Sequence, residues 1–242
     1  QQQVATTYDA NARPVRSELK SGATTYAVSQ TSYDALGRVD CSVTRMDPAQ
    51  WASQPNACLP QTSNATTGPD RVVKTSYTDA GEVAQVQTAY GTTAVANEVT
   101  NTYSNNGRLA SVKDAENNLT TYIYDGHDRL SQTRFPSTTK GAGTSNAANY
   151  EQLTYNANGA VTQRRLRDAQ TIGYSYDDLG RVTHKNLPGT ELDVSYSYDL
   201  LGRPTQASQT GNILGFTYDA LSRNLTQSGP LGTVTYTYDA AG

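Results

Sequence analysis

Histidine, the residue type that most often carries out general acid–base catalysis, is scarce in this chain of 242 residues. There are two histidines, His127 and His184, and they lie far apart in the sequence. No Gly-x-Ser-x-Gly, His-Glu-x-x-His or phosphate-loop motif is present. Aspartates are frequent, and a glycosidase needs only two carboxylates, but the repeated aspartates occupy turn positions and have arginine partners. The sequence therefore predicts surface histidines and no enzymatic activity.

Candidate metal and cofactor sites are equally weak. Asp114, Glu116 and Asn118 offer oxygen ligands, but their spacing is not that of a calcium-binding loop, so a polar turn is favoured. Gly141 and Gly143 lack the third glycine of a dinucleotide-binding fingerprint. We therefore predict no cofactor and no bound metal.

The two cysteines, Cys41 and Cys58, are 17 residues apart. A disulfide between them would close a loop and contribute about 3 kcal/mol in the chain-entropy model. The alternative is two separate buried thiols in a reducing compartment. Sequence alone favours the disulfide slightly and leaves both interpretations open.

The charge and hydropathy patterns argue against a nucleic-acid partner and against a membrane-spanning helix. The net charge is −3, and the arginines are dispersed instead of forming a basic face. Arg164, Arg165 and Arg167 form the one basic cluster, beside Asp168, and a solvated patch is the favoured interpretation. No apolar run approaches the ~20 residues that span a membrane as a helix.

The dominant feature of the sequence is a repeated phrase, Tyr-Asp-x-x-Gly-Arg followed by Val or Leu. Its clearest copies are separated by 22, 20 and 20 residues, and a fixed period of this length indicates a repeat architecture. Looser copies extend the array upstream. Ten marker tyrosines are counted: Tyr8, Tyr33, Tyr77, Tyr103, Tyr124, Tyr155, Tyr176, Tyr198, Tyr218 and Tyr238.

Each phrase has the chemistry of a β-hairpin turn. Asp is favoured at the first position of a type I turn, and Gly can adopt the left-handed conformation that completes a three-residue hairpin loop with a bulge. In this register Tyr176 faces Val182 and Asp177 faces Arg181, which predicts Tyr and Val on one face and Asp and Arg on the other. Ala12, Asp128 and Ser222 replace the glycine in three copies, where a different turn or strain is expected.

The residues expected to define the repeats structurally come from the clearest copies. They are Tyr33, Asp34, Gly37, Arg38, Tyr176, Asp177, Gly180, Arg181, Tyr198, Asp199, Gly202, Arg203, Tyr218, Asp219 and Arg223.

Two insertions interrupt the period. Residues 45–71 are proline-rich and contain the single Trp and the single Met, whereas residues 135–150 are rich in Ser, Thr, Gly and Asn and predict a flexible loop. Otherwise we expect residues 1–242 to form one repeat array. Leu, Ile, Val and Phe make up only about 16% of the chain, but the low net charge and the 17 tyrosines favour an ordered all-β chain over disorder.

The phrases at Ser32–Val39, Tyr176–Val182 and Tyr198–Arg203 resemble the YD repeat of RHS proteins. That family includes bacterial polymorphic toxins, shell subunits of insecticidal toxin complexes and the animal teneurins. The resemblance covers nearly the whole chain. It implies a coiled strip of antiparallel hairpins that is part of a hollow β-shell, in a bacterial protein that is secreted or displayed at the cell surface.

In toxin members of the family the shell encloses a C-terminal effector, so the partner that the resemblance implies is an effector domain of the same parent chain. The autoproteolytic segment that follows the repeats in those members is not seen here, and no catalytic residue can be placed. We expect the chain to be a fragment of a longer protein. The alternatives are an adhesion module that binds glycans through exposed tyrosines and a filament assembled by edge pairing.

Overall fold

The computed structural model describes residues 2–53, 55–61, 66–239 and 241. Within these residues it contains nineteen β-strands and one short 3-10 helix, Pro48–Gln50. The predicted all-β fold of repeated antiparallel hairpins is confirmed. No helix in the described part of the chain is long and apolar enough to span a membrane. Asn64, which is in an Asn-x-Ser/Thr sequon, and Gly242, which is at the glycine position of the last repeat copy, lie outside the described residues.

The strands are short, and most run between a repeat turn and a return connection. In chain order they are β1 (Gln2–Tyr8), β2 (Pro14–Ser21), β3 (Thr24–Tyr33), β4 (Val39–Arg45), β5 (Arg71–Tyr77), β6 (Val83–Thr88), β7 (Ala96–Tyr103), β8 (Leu109–Asp114), β9 (Leu119–Tyr124), β10 (Leu130–Pro136), β11 (Ser145–Tyr155), β12 (Val161–Arg165), β13 (Thr171–Tyr176), β14 (Val182–Asn186), β15 (Val194–Tyr198), β16 (Pro204–Gln209), β17 (Asn212–Tyr218), β18 (Asn224–Gly229) and β19 (Gly232–Thr235).

The single array expected from the sequence divides into two compact units, residues 1–122 with 135–145 and residues 123–134 with 146–242. In the first unit, strands β1 to β8 pair antiparallel, each with its successor. In the second unit, β11 to β19 do the same. Because each strand of a repeat array contacts only its neighbours, such a chain has no single continuous core.

A β-bulge precedes the repeat tyrosine. In β13 the register shifts between Ser175 and Tyr176, which places Tyr176 opposite Val182 as predicted. Side chains then alternate along the strand, so that Tyr174 and Tyr176 are half-buried while Ser175 between them is exposed. The same shift occurs before Tyr8, Tyr33, Tyr77, Tyr103, Tyr155, Tyr198 and Tyr218.

The turn itself is the same whether or not it contains glycine. Gly180 has φ 77°, and its N–H donates to the Asp177 carbonyl at 2.9 Å. Ala12, Asp128 and Ser222 have φ 59°, 58° and 65° and make the equivalent bond at 3.0–3.1 Å. The different turn allowed for these copies is therefore not formed, and the three residues occupy a left-handed conformation that is strained for any residue with a Cβ.

The first insertion packs onto the sheet of the first unit instead of forming a loose loop. Cys41 and Cys58 form a disulfide with an S–S distance of 2.05 Å. Around it, Cys41, Val43, Ala57 and Val72 form a small cluster of buried apolar residues. This cluster gives the insertion an apolar contact with strands β4 and β5.

A buried ion pair lies next to this cluster. Arg45 Nη1 is 2.8 Å from Asp70 Oδ2, and the two side chains are 0% and 2% exposed. Arg45 also donates to the carbonyls of Leu59 and Pro55, while Asp70 accepts the N–H of Met46 and of Gln61. A buried pair is tolerated only when its remaining donors and acceptors are bonded, and this network meets that condition.

The second insertion is shorter than the predicted loop over residues 135–150. Strand β10 continues to Pro136 and β11 begins at Ser145, which leaves residues 137–144 as the connection. Asn117 holds this connection, because its side chain donates to the Gly141 carbonyl at 2.6 Å and its own carbonyl accepts the Gly143 N–H at 3.0 Å.

The turn conformation leads to a paired prediction. Gly180→Ala should lower the free energy of unfolding by about 1–2 kcal/mol, because a Cβ disfavours the left-handed conformation. An added Cβ there would meet no heavy atom within 4 Å, so packing does not contribute. Ala12→Gly, at the equivalent turn position with φ 59°, should raise stability by up to about 1 kcal/mol. Urea unfolding checks both variants, and changes of the same sign in both would contradict the shared turn.

Candidate functional site: the turn clamp

The turn carboxylate organises each repeat. Asp177 Oδ1 accepts the backbone N–H of Leu179 at 3.0 Å and of Arg181 at 2.9 Å, while Oδ2 accepts Arg181 Nε at 2.6 Å. The N–H of Asp177 donates in turn to the Arg181 carbonyl at 3.0 Å. The same Asp–Arg pair closes the turns at Asp9, Asp34, Asp125, Asp199 and Asp219.

The arginine also reaches the next repeat along the chain. The Arg181 guanidinium carbon lies 4.7 Å from the centre of the Tyr198 ring, and Nη1 donates to the Asp199 carbonyl at 3.1 Å. The Tyr198 hydroxyl donates back to the Val182 carbonyl at 2.8 Å. We call this set, a turn Asp, its Arg and the Tyr of the following repeat, the turn clamp.

The turn clamp recurs in both units. The guanidinium lies 4.2–4.7 Å from the ring centre in each case, and the pairs are Arg13–Tyr33, Arg38–Tyr77, Arg129–Tyr155, Arg181–Tyr198, Arg203–Tyr218 and Arg223–Tyr238. The expectation that Tyr and Val lie on one face and Asp and Arg on the other concerns a single hairpin. The contact between Arg and Tyr joins two successive repeats, and the sequence analysis did not predict it.

The copy that begins at Tyr77 lacks the Asp–Arg pair and keeps the tyrosine contact. Thr78 and Glu82 stand where Asp and Arg stand elsewhere, and the Thr78 hydroxyl donates to the Glu82 carboxylate. The Tyr103 hydroxyl still donates to the Val83 carbonyl at 2.9 Å. The hydroxyl-to-carbonyl bond is thus a more constant part of the joint between repeats than the ion pair.

The clamp changes the acidity of its carboxyl groups. The side-chain hydrogen bond from Arg129, together with backbone N–H groups, lowers the pKa of Asp125 to about 2. The N–H and side chain of Arg181 likewise lower the pKa of Asp177. Since the carboxylate is the form that accepts these bonds, both groups remain ionised at neutral pH.

The clamps bring together the residues expected to define the repeats. Tyr33, Asp34, Gly37 and Arg38 meet in one turn and its joints, and their counterparts in the second unit do the same. Sequence reasoning missed the bond that eight of the marker tyrosines donate from the hydroxyl to a carbonyl of the preceding repeat. The tyrosine at a constant position in the repeat was the available signal for this bond. The residue that accepts the bond varies in type, because the acceptor is a backbone carbonyl.

The remaining candidate residues are the histidine His127, the basic cluster and the possible metal ligands. His127 is exposed in the Asp125 turn. In the basic cluster, Arg164 pairs with Glu151 at 3.0 Å, and Arg165 stacks on Tyr150. Among the described residues, the one group of three metal-ligating types is Asp40, Cys41 and Cys58. Its two sulfurs are joined in the disulfide, so they cannot act as thiolate ligands.

The chain was compared with known proteins. It matches the RHS Repeat family at residues 103–140 and 155–192. A chain in the crystal structure of TcdB2-TccC3-TEV is 14% identical with a TM-score of 0.66, covering 99% of this chain and 12% of that one. A chain of the Tc holotoxin pore of Photorhabdus luminescens is 16% identical with a TM-score of 0.54, covering 93% and 12%. No curated protein gives a significant sequence match.

The fold and the clamps define a repeat protein built from antiparallel β-hairpins. Two segments, residues 103–140 and 155–192, match the RHS Repeat family, in agreement with the sequence resemblance, and the chain shares its fold with chains of the TcdB2-TccC3 structures. It spans about an eighth of the length of those chains.

The clamp predicts that the guanidinium stabilises the joint between repeats. Arg203→Ala should cost about 2 kcal/mol, because Arg203 bonds Asp199 and the Asp219 carbonyl and lies over Tyr218. Arg164→Ala is the matched control, since Arg164 is 46% exposed and holds a surface pair whose loss should change stability by less than about 0.5 kcal/mol. Equal losses in urea unfolding would refute a special role for the clamp.

The lowered pKa values predict acid sensitivity. A carboxyl with a depressed folded-state pKa contributes stability above its unfolded pKa and loses that contribution as pH falls through the folded value. For Asp125 the loss should therefore occur between about pH 4 and pH 2. Urea midpoints across this range, with Asp125→Asn as the variant that lacks the titration, test the expectation. An Asp125 carboxyl that titrates near pH 4 by NMR would show that its clamp is open.

Proposed function

We propose that this chain is a structural segment of a bacterial secreted or surface toxin-type protein, where it forms part of a β-shell around a C-terminal effector of the same parent chain. The observation that carries the proposal is the match to the RHS Repeat family together with the fold shared with chains of the TcdB2-TccC3-TEV and Tc holotoxin structures, over 99% and 93% of this chain. The remaining support is physical and comes from the sheet and its joints.

The sheet has the properties that a wall requires. In the described residues of the second unit no side chain is buried, so both faces of its sheet stay at least partly accessible. Cohesion comes instead from backbone pairing and from the turn clamps at Arg181, Arg203 and Arg223. A single layer held in this way can extend by adding repeats, without a core that grows with it.

The disulfide supports a destination outside the reducing cytosol. Disulfides persist in secreted and surface proteins and are rare where glutathione and thioredoxin keep thiols reduced. The Cys41–Cys58 bond joins the first insertion to strand β4, and Cys41 is fully buried. A chain that folds around such a bond is suited to an oxidising compartment.

The deciding experiment uses the full native gene product. We expect its intact mass and the sequence of co-eluting fragments to identify a C-terminal segment of different composition that stays with the repeats. That segment should resist a protease that cleaves it when it is expressed alone. A native product without such a segment, or with one that is cleaved at the same rate in both forms, would overturn encapsulation and leave the structural repeat role intact.

A second candidate is an adhesion module that binds glycans. Tyr8 and Tyr26 are 59% and 56% exposed, and an exposed tyrosine ring offers an apolar face with a polar edge for recognition. A glycan array distinguishes the two functions: binding lost in Tyr26→Ala favours adhesion, and absence of binding favours the shell.

A further inference from the structure

One histidine of the chain lies in a polar constellation outside the turn clamps. His184 in β14 is directly opposite Ser195 in β15, and its Nδ1 is 3.0 Å from Ser195 Oγ. On the other side of the ring, Nε2 is 3.4 Å from Asp193 Oδ2. The imidazole therefore lies between a hydroxyl and a carboxylate, which is the arrangement that activates serine nucleophiles on unrelated folds.

The carboxylate is held in place by its own partners. Asp193 Oδ1 accepts the N–H of Leu187 at 2.8 Å, and Oδ2 accepts the Asn186 side-chain amide at 3.0 Å. These bonds keep Asp193 ionised and aimed at the ring. With the Nε2 proton directed to Asp193, the Nδ1 lone pair is directed to Ser195, a tautomer assigned from the hydrogen-bond partners.

We propose that Ser195 is a nucleophile, with His184 as its general base, that reacts with small neutral carboxylic esters. Ser195 is exposed, and His184 and Asp193 are 40% and 38% exposed, so an acyl donor can approach from solvent. Ser208 is directly opposite Ser195 in β16, on the same face of the sheet, where its hydroxyl can donate to the oxyanion.

The reaction is ordinary acyl transfer. Ser195 Oγ forms a bond to the ester carbonyl carbon while its proton moves to His184 Nδ1. The tetrahedral intermediate breaks the bond to the leaving alkoxide, which takes that proton and departs as the alcohol. Water then attacks the carbonyl carbon of acyl-Ser195 while His184 accepts its proton. The bond from that carbon to Ser195 Oγ breaks, the proton passes from His184 to Oγ, and the carboxylic acid leaves. Asp193 acts as a positioning residue throughout.

The test uses residues 1–242 with a biotinylated fluorophosphonate and with 4-nitrophenyl acetate. Mass spectrometry should locate the phosphonate on Ser195, and Ser195→Ala should remove labelling and ester hydrolysis above the buffer rate. Ser197→Ala is the matched control, because Ser197 is also exposed in β15 but lies opposite Gln206 instead of a histidine. It should leave both readouts unchanged.

His184→Asn should lower the labelling rate at least 100-fold, an effect within the range of general-base catalysis. Asp193→Asn should lower the maximal labelling rate while leaving the half-saturating probe concentration unchanged, a separation that mere unfolding would not produce. Circular dichroism confirms that each variant is folded. Equal labelling of Ser195 and Ser197, or hydrolysis that survives Ser195→Ala, would overturn the proposal. The outcome is independent of whether the shell encloses an effector.

Discussion

The guanidinium between two repeats is the interaction on which the rest of the array depends. In the turn that begins at Asp199, Arg203 bonds the carboxylate of its own turn, a carbonyl of the next turn and the ring of Tyr218. A charged planar group with five donors can satisfy all three at once, and a lysine could not. Because few side chains among the described residues are fully buried, cohesion between hairpins rests on these polar joints and on the strand ladders.

The clamp also explains why residues with a Cβ adopt the strained, positive-φ turn conformation. The carboxylate can bond the N–H groups two and four residues on only if the residue between them has a positive φ. Ala12, Asp128 and Ser222 accept that conformation, and the Asp–Arg bonds of their turns offset the strain. The first insertion follows different physics: a disulfide, a small apolar cluster and the buried Arg45–Asp70 pair fix it to β4 and β5.

The structure of a single hairpin could be predicted from residues that are close together in the sequence. The turn, the Tyr176–Val182 pairing and the Asp177–Arg181 bond all lie within seven residues, so residue type and spacing predict them. The loop over 135–150 was overestimated, because composition does not register how Asn117 fixes Gly141 and Gly143 from another part of the chain. Composition also left the division into two units unseen, since repeats of similar sequence continue across it.

By itself, then, the sequence determined the all-β class, the repeat and the turn of this protein, because those depend on contacts between near neighbours. Tertiary structure alone decided which tyrosine each arginine meets and where each tyrosine hydroxyl bonds. It also brought His184 beside Ser195 and Asp193. These contacts join residues from different strands, and their partners are set by register and bulges. A one-residue change in register would exchange the faces of a strand, so spacing along the chain cannot specify them.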